Sequence, residues 1–159
     1  MENTTENMVN EFIKKQKFHQ RKSSLVKTSK GVKCVLVQTV PAHIFKAYVV
    51  EDGYLADAGI LTFSHDDDIP TTIELSTIEV EKNYQNLGIG SLLVKKFLTY
   101  ANNNGGYKKI TLTSFSNTAE FFEKFGFEAK TQKAVTADEH KLISMDLALV
   151  KNYNQQCVL

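Results

Sequence analysis

Apolar and polar positions alternate with two different periods along this chain, and the places where the period changes mark its elements. Residues 5–18 group Met8, Val9, Phe12 and Ile13 on one stripe with lysines elsewhere, which predicts an amphipathic helix. Residues 25–28 and 32–40 read as two strands about Ser29-Lys30-Gly31, the second broken by Pro41. Residues 44–50 and 54–63 form the clearest hairpin, turning at Glu51-Asp52-Gly53. Residues 73–80 are rich in β-branched and apolar side chains and short enough for one strand. A compact turn with Gly88 and Gly90 follows. Then Leu92, Leu93, Phe97, Tyr100 and Ala101 fall on one helical stripe, which Asn102-Asn103-Asn104-Gly105-Gly106 stops. Downstream come a strand over 107–113, a short helix over 117–124 ended by Gly126, and a strand pair, 127–133 and 142–149, around a loop at 135–140. Residues 152–159 read as a polar tail.

Hairpins followed by β-α-β-α-β-β predict an α/β (α+β) fold, a mixed and mostly antiparallel sheet of about 6–7 strands flanked by helices. The 159 residues suit a single domain, 1–159, with its own core. Within it, 1–43 is a helix and hairpin, 44–149 carries the motifs below, and 150–159 is the tail. Nineteen basic and eighteen acidic residues leave a net charge of +1, which argues against a global pull toward nucleic acid or membrane. The first residues are polar and acidic, and no run of eighteen apolar residues occurs. Cys34 and Cys157 have no paired spacing and read as reduced thiols. A cytoplasmic protein is the expectation.

The chemistry concentrates where the strand at 73–80 meets the glycine turn and the helix. A helix start leaves several backbone N–H groups without helical partners, all aimed one way, and adds roughly half a positive charge from the dipole. Glycines let a bulky anion approach the main chain. The expected ligand is a phosphate or pyrophosphate. A P-loop would need a lysine after the glycines, and a dinucleotide fingerprint would need a third glycine where Leu93 stands. Both patterns fail.

Gln85-Asn86-Leu87-Gly88-Ile89-Gly90 instead matches Q/R-x-x-G-x-G/A, the acetyl-CoA pyrophosphate loop of the GNAT (GCN5-related N-acetyltransferase) superfamily. Thr118-Ala119-Glu120-Phe121-Phe122-Glu123-Lys124-Phe125-Gly126-Phe127 is similar to that family's A-x-x-F-Y-x-K-x-G-F segment. The resemblance covers about 47–149 and is poor before it; the family's usual first strand and two helices give way here to one helix and an extra hairpin. It implies a GNAT-like fold and direct transfer of an acetyl group from acetyl-CoA to a primary amine of a small molecule or protein, with no metal. It also implies that Gln85, Asn86, Leu87, Gly88, Ile89, Gly90 and Ser91 hold the pyrophosphate through backbone amides. Ile78 and Val80 would present main-chain groups to the pantetheine arm. Asn117 would bond that arm, or would be a simple helix N-cap.

By the same resemblance, Glu74, six residues before the loop valine Val80, is the candidate general base. Alternation places Glu74, Ser76, Ile78 and Val80 on one strand face unless a bulge intervenes, and partial burial would raise the Glu74 carboxyl. Glu79 is the fallback; a plain rim carboxylate is the other reading. Phe122, grouped with the cofactor-binding residues, stands where the family usually has a tyrosine that protonates the departing thiolate. Tyr54, Tyr84, Tyr107 or water would replace it, or the thiolate would leave unaided. Core packing is the plain alternative for Phe121 and Phe122. His65-Asp66-Asp67-Asp68 lacks the alternation of a calcium loop and reads as a solvated acidic loop or an attractor for a cationic amine. Lysines and an arginine over 14–22 read as a solvated helix end or a docking site for phosphates or an acidic partner. The competing function is a non-catalytic CoA-binding or interaction module. The partners expected are acetyl-CoA and an amine acceptor, in a monomer or homodimer.

Overall fold

The computed structural model describes residues 7, 8, 11, 21–39, 43–104, 106–135 and 141–149. The elements that lie wholly within the described residues are β1 (Arg21–Lys27), β2 (Lys33–Thr39), β3 (Ile44–Glu51), β4 (Tyr54–His65), β5 (Thr72–Val80), α1 (Ile89–Asn103), β6 (Lys109–Phe115), α2 (Ala119–Glu123), β7 (Glu128–Val135) and β8 (Lys141–Ala148). The hydrogen-bonded order is β1-β2-β3-β4-β5-β6-β8-β7. Among the pairings described in register, only β5 with β6 is parallel. The sheet is therefore mixed and mostly antiparallel, with one strand more than the upper expectation. Each of the eight strands corresponds to a segment read as a strand, and β1, expected from 25, starts at Arg21 although 21–24 are polar; an edge strand tolerates polar residues that a central strand would not. Of the helix expected over 5–18, only Asn7, Met8 and Glu11 are described, and these are helical. Of the basic run over 14–22 only Arg21 and Lys22, at the start of β1, are described; residues 12–20, the loop at 136–140 and the tail with Cys157 lie outside the described residues.

The chain forms two compact units, Met1–Phe63 with Thr77–Leu98, and Ser64–Ser76 with Thr99–Leu159. In the first, β2 is buried on both sides: Cys34, Val35, Leu36 and Val37 are each at most 3% exposed. Val35 and Val37 pack with Tyr48, Val50 and Leu55. On the other face Phe45 and Phe63 stack at 5.6 Å, and Phe63 meets Phe97 of α1 at 5.2 Å. Burial pushes the Cys34 thiol up, so this cysteine is the small buried hydrophobe its strand position predicts. A bulge interrupts the β3–β4 pair: Ala47 faces Gly59 and Tyr48 faces Asp57, which leaves Ala58 as the extra residue.

In the second unit β6 pairs with β8 and β8 with β7. Its apolar centre holds Ile73, Leu75, Ile110, Leu112, Phe122, Phe127, Ile143 and Met145. The start of β5 runs parallel to β6, with Ile73 beside Ile110 and Glu74 beside Thr111. Lys108 N–H and Lys109 N–H both donate to the Thr71 carbonyl (2.7 and 3.3 Å), which fixes this register.

Phe97 is fully buried against Phe63, so Phe97→Ala removes a ring whose space α1 cannot refill. Denaturant unfolding of this variant should show a loss of about 3–5 kcal/mol.

Candidate functional site

The turn between β5 and α1 begins with a stop signal built from main chain and side chain together. Glu81 N–H leaves the strand direction and donates to the carbonyl of the bulged Ala58 at 2.8 Å. A short 3-10 turn, Lys82–Tyr84, follows, closed by Tyr84 N–H on the Glu81 carbonyl (2.8 Å). Gln85 folds its side chain back, and its Nε2 donates to the Val80 carbonyl at 3.1 Å. The chain then takes two left-handed steps, Asn86 at φ 62° and Gly88 at φ 87°. Asparagine tolerates that region and glycine occupies it without strain. The first helical bond of α1 is Leu92 N–H to the Gly88 carbonyl (3.1 Å), so the amides of Ile89, Gly90 and Ser91 precede the helical ladder.

Two neighbouring turns of the first unit hold this loop. A Cβ on Gly88 would stand 3.1 Å from Ser29 Oγ and 3.2 Å from Thr28 Cβ, in the turn between β1 and β2. From the same turn Lys30 Nζ donates to the Asn86 carbonyl at 2.6 Å. On the other side Glu51, at the end of β3, accepts from Tyr84 Oη through Oε1 (2.6 Å) and from Tyr54 Oη through Oε2 (2.5 Å). These two hydrogen bonds, Tyr54's the larger influence, hold the Glu51 carboxyl below its ordinary range. The bond to Glu51 in turn pushes the Tyr84 phenol up to about 12. Sequence reasoning missed both braces. Nothing local marks Lys30 or Glu51, since each acts on a segment far along the chain.

The remaining expected site residues are found as follows. Ile78 and Val80 are half-buried, and Ser76 and Thr77 are both exposed. Thr72, Ile73 and Leu75 are buried and from Ile78 the less exposed positions are even-numbered, so Glu74, Ser76, Ile78 and Val80 do not share one burial class. Glu74 itself is exposed, which corrects the expected partial burial. Asn117 is exposed and lies one residue before the helix N-cap, which is Thr118; the N-cap alternative for Asn117 is corrected accordingly. The Thr118 hydroxyl bonds Ser114 Oγ (2.7 Å) and the Phe115 carbonyl (3.0 Å), so it closes the preceding turn. Phe122 is 6% exposed and meets Phe121 and Phe127 edge to face, at 5.1 and 6.0 Å. Its ring is committed to packing, as the core alternative has it.

Of the tyrosines considered as proton donors, Tyr54 and Tyr84 already donate to Glu51, and a phenol near 12 gives up its proton reluctantly. Tyr107 stacks on His65 and hydrogen-bonds its Nδ1. Asp66 Oδ1 accepts from the N–H groups of Asp68 and Ile69, the self-bonded turn of a solvated loop. Among the described residues no group of three or more His, Cys, Asp or Glu side chains is arranged to hold a metal ion. No described helix is long and apolar enough to cross a membrane.

The sequence profile of the acetyltransferase (GNAT) family matches residues 38–127, more than half of the chain. The protein belongs to the GNAT family of acetyltransferases. Solved structures with the same fold include the NatC complex bound to Gag peptide and CoA (18% identity, 67% of this chain and 71% of that one, TM-score 0.60). The spermidine/spermine N-acetyltransferase of Vibrio cholerae is similar at 16% identity over 73% of both chains, TM-score 0.55. The ribosomal-protein-S18-alanine N-acetyltransferase of Escherichia coli is similar at 22% identity over 70% of this chain and 74% of that one, TM-score 0.54. No curated protein matches the sequence.

The Glu51 brace is open to test by pH. A carboxyl whose folded pKa is lowered contributes stability that is present above its unfolded value and fades as pH falls through the folded one. Glu51→Gln should therefore melt below wild type at neutral pH. The gap should narrow as pH drops below 4.5, the ordinary value, in thermal melts across the acid range.

Proposed function

We propose that the protein transfers an acetyl group from acetyl-CoA directly to a primary amine, with the loop from Gln85 to Ser91 holding the diphosphate of CoA. The observation that carries this reading is the left-handed Asn86–Gly88 turn set immediately before the amides of Ile89, Gly90 and Ser91, which precede the first helical bond. Such a turn presents main-chain donors to an anion without a side chain in the way. Family membership supports acetyl-CoA as the donor, and the similar structure of the NatC complex holds CoA. Ile78 and Val80 are proposed to meet the pantetheine arm through main-chain groups; the Val80 carbonyl keeps its second lone pair after accepting from Gln85. Asn117 is proposed as a further contact to that arm, and Phe122 as part of the apolar backing rather than a donor.

In the reaction the neutral amine nitrogen attacks the thioester carbonyl, a C–N bond forms, and the C–S bond breaks. The ammonium proton goes to a base and the departing thiolate takes up a proton from solvent or leaves as the anion. Glu74 is proposed as the base. Its exposure leaves it within reach of an acceptor amine. The similar proteins act on a polyamine or on a protein amine by their names. For this chain a small-molecule amine is the proposed acceptor. A module that binds CoA without turnover is the alternative, motivated by Phe122.

Titration calorimetry should show CoA binding to the wild-type chain. Gly88→Val should abolish most of it, because a β-branched residue at φ 87° with 3.1 Å contacts must displace the turn. A wild-type chain with no heat at millimolar CoA would overturn the assignment. Offered a panel of amines with acetyl-CoA, the protein should release free thiol, and Glu74→Gln should lower kcat about 10²- to 10⁴-fold. The loss should be smaller at high pH, where more amine is neutral. Full turnover of the variant at every pH would remove Glu74 from the mechanism.

A further inference from the structure

We propose that Lys30, carried by the turn between β1 and β2, is a ligand for the diphosphate of CoA and supplies the positive charge that the loop itself lacks. This rests on the reading of Gln85 to Ser91 as the diphosphate loop. That segment, Gln-Asn-Leu-Gly-Ile-Gly-Ser, contains no charged residue, and Gln85 spends its amide on the Val80 carbonyl. A diphosphate bound there by neutral amides alone would keep most of its charge uncompensated.

Lys30 is 56 residues away in sequence, yet its Nζ lies 2.6 Å from the Asn86 carbonyl. An ammonium has three N–H bonds, so the one to Asn86 anchors the group at the loop and leaves two to donate. Its arrival there is not a chance of a long side chain. Thr28, 6% exposed, organises the turn: its Oγ1 accepts from Lys30 N–H (3.3 Å) and Val32 N–H (3.2 Å). Its carbonyl accepts from Gly31 N–H (2.9 Å), and its own N–H donates to the Val32 carbonyl (3.0 Å). Gly31 takes the left-handed step (φ 81°) that closes the turn. Thr28 and Ser29 then rest against Gly88, so close that a Cβ there would stand 3.1 Å from Ser29 Oγ and 3.2 Å from Thr28 Cβ and the turn would have to give way. The hairpin turn and the loop are thus fitted to each other, with an ammonium at the join. Thr28, Ser29 and Lys30 precede the part of the chain that matches the family profile, so the cation is a contribution of this chain's own N-terminal hairpin.

Calorimetry on the full chain with CoA and with 3′-dephospho-CoA tests this. Lys30→Met should weaken both ligands about tenfold, the worth of one charge-assisted hydrogen bond, whereas Lys33→Met, on the exposed start of β2, should change neither. The Lys30→Met deficit should shrink as salt rises from about 0.05 to 0.5 M, since screening weakens a charge contact but not a packing contact. Equal affinities for wild type and Lys30→Met would overturn the proposal while leaving the loop assignment standing. So would a deficit confined to CoA, which would move the contact to the ribose phosphate, or a deficit indifferent to salt, which would make Lys30 a structural prop. Failure of wild type itself to bind CoA would remove the loop assignment and this proposal with it.

Discussion

The close approach of the β1–β2 turn to the main chain at Gly88 is the constraint on which the loop geometry depends. Gly88 is held at φ 87° with Ser29 Oγ and Thr28 Cβ near the space a Cβ would need. Only glycine meets both demands, the left-handed step and the contact. A side chain here would be strained in φ and would also push the turn away. The other end of the segment is held differently: the bulge at Ala58 turns a β4 carbonyl toward Glu81 N–H, and Glu51 ties Tyr84 to the β3–β4 hairpin. A loop pinned at both ends presents its amides in one arrangement before any ligand arrives. Preorganisation of that kind lowers the ordering cost of binding.

The turn that meets Gly88 lies outside the stretch that the family profile matches. In the matched stretch, 38–127, the strand, turn and helix carry the family pattern. The turn of residues 28–32 comes from outside it, yet it touches the most restricted residue of the loop. The β1–β2 hairpin is therefore a structural partner of the loop. Its stiffness comes from Thr28, a polar residue that is buried because its hydroxyl and both its backbone groups are satisfied within the turn.

Much of this was legible in the sequence, for reasons that differ by element. The hairpin of β3 and β4, the strand β5 and the helix α1 obey simple periods and end on strong breakers, and the structure follows them within a few residues. The glycine turn was legible because its chemistry is local. Two things were not. The bulge at Ala58 leaves no trace in composition, since alanine and glycine beside each other fit a strand or a turn equally. The braces from Lys30 and Glu51 are contacts between segments distant in sequence, and no single-chain pattern encodes such a pairing. Asn117 shows a subtler limit: both it and Thr118 are good capping residues, and the hydroxyl of Thr118 is drawn into the turn with Ser114, which sets the helix start one residue later.

The absence of a hydroxyl at Phe122 has a physical consequence for the proposed chemistry. A buried ring between Phe121 and Phe127 has no proton to give. The tyrosines that could compensate within the first unit are engaged with Glu51, and Tyr84 is pushed to about 12, so protonating a thiolate from it would run uphill by several pK units. A thiol of ordinary acidity is a tolerable leaving group without a dedicated acid, whereas an ammonium is no nucleophile until its proton is gone. The larger demand therefore falls on the base and on holding the two substrates in line. A loop fixed at both ends, as the proposed diphosphate site, would serve the second of these demands. The first is the demand that the proposed base, Glu74, would have to meet.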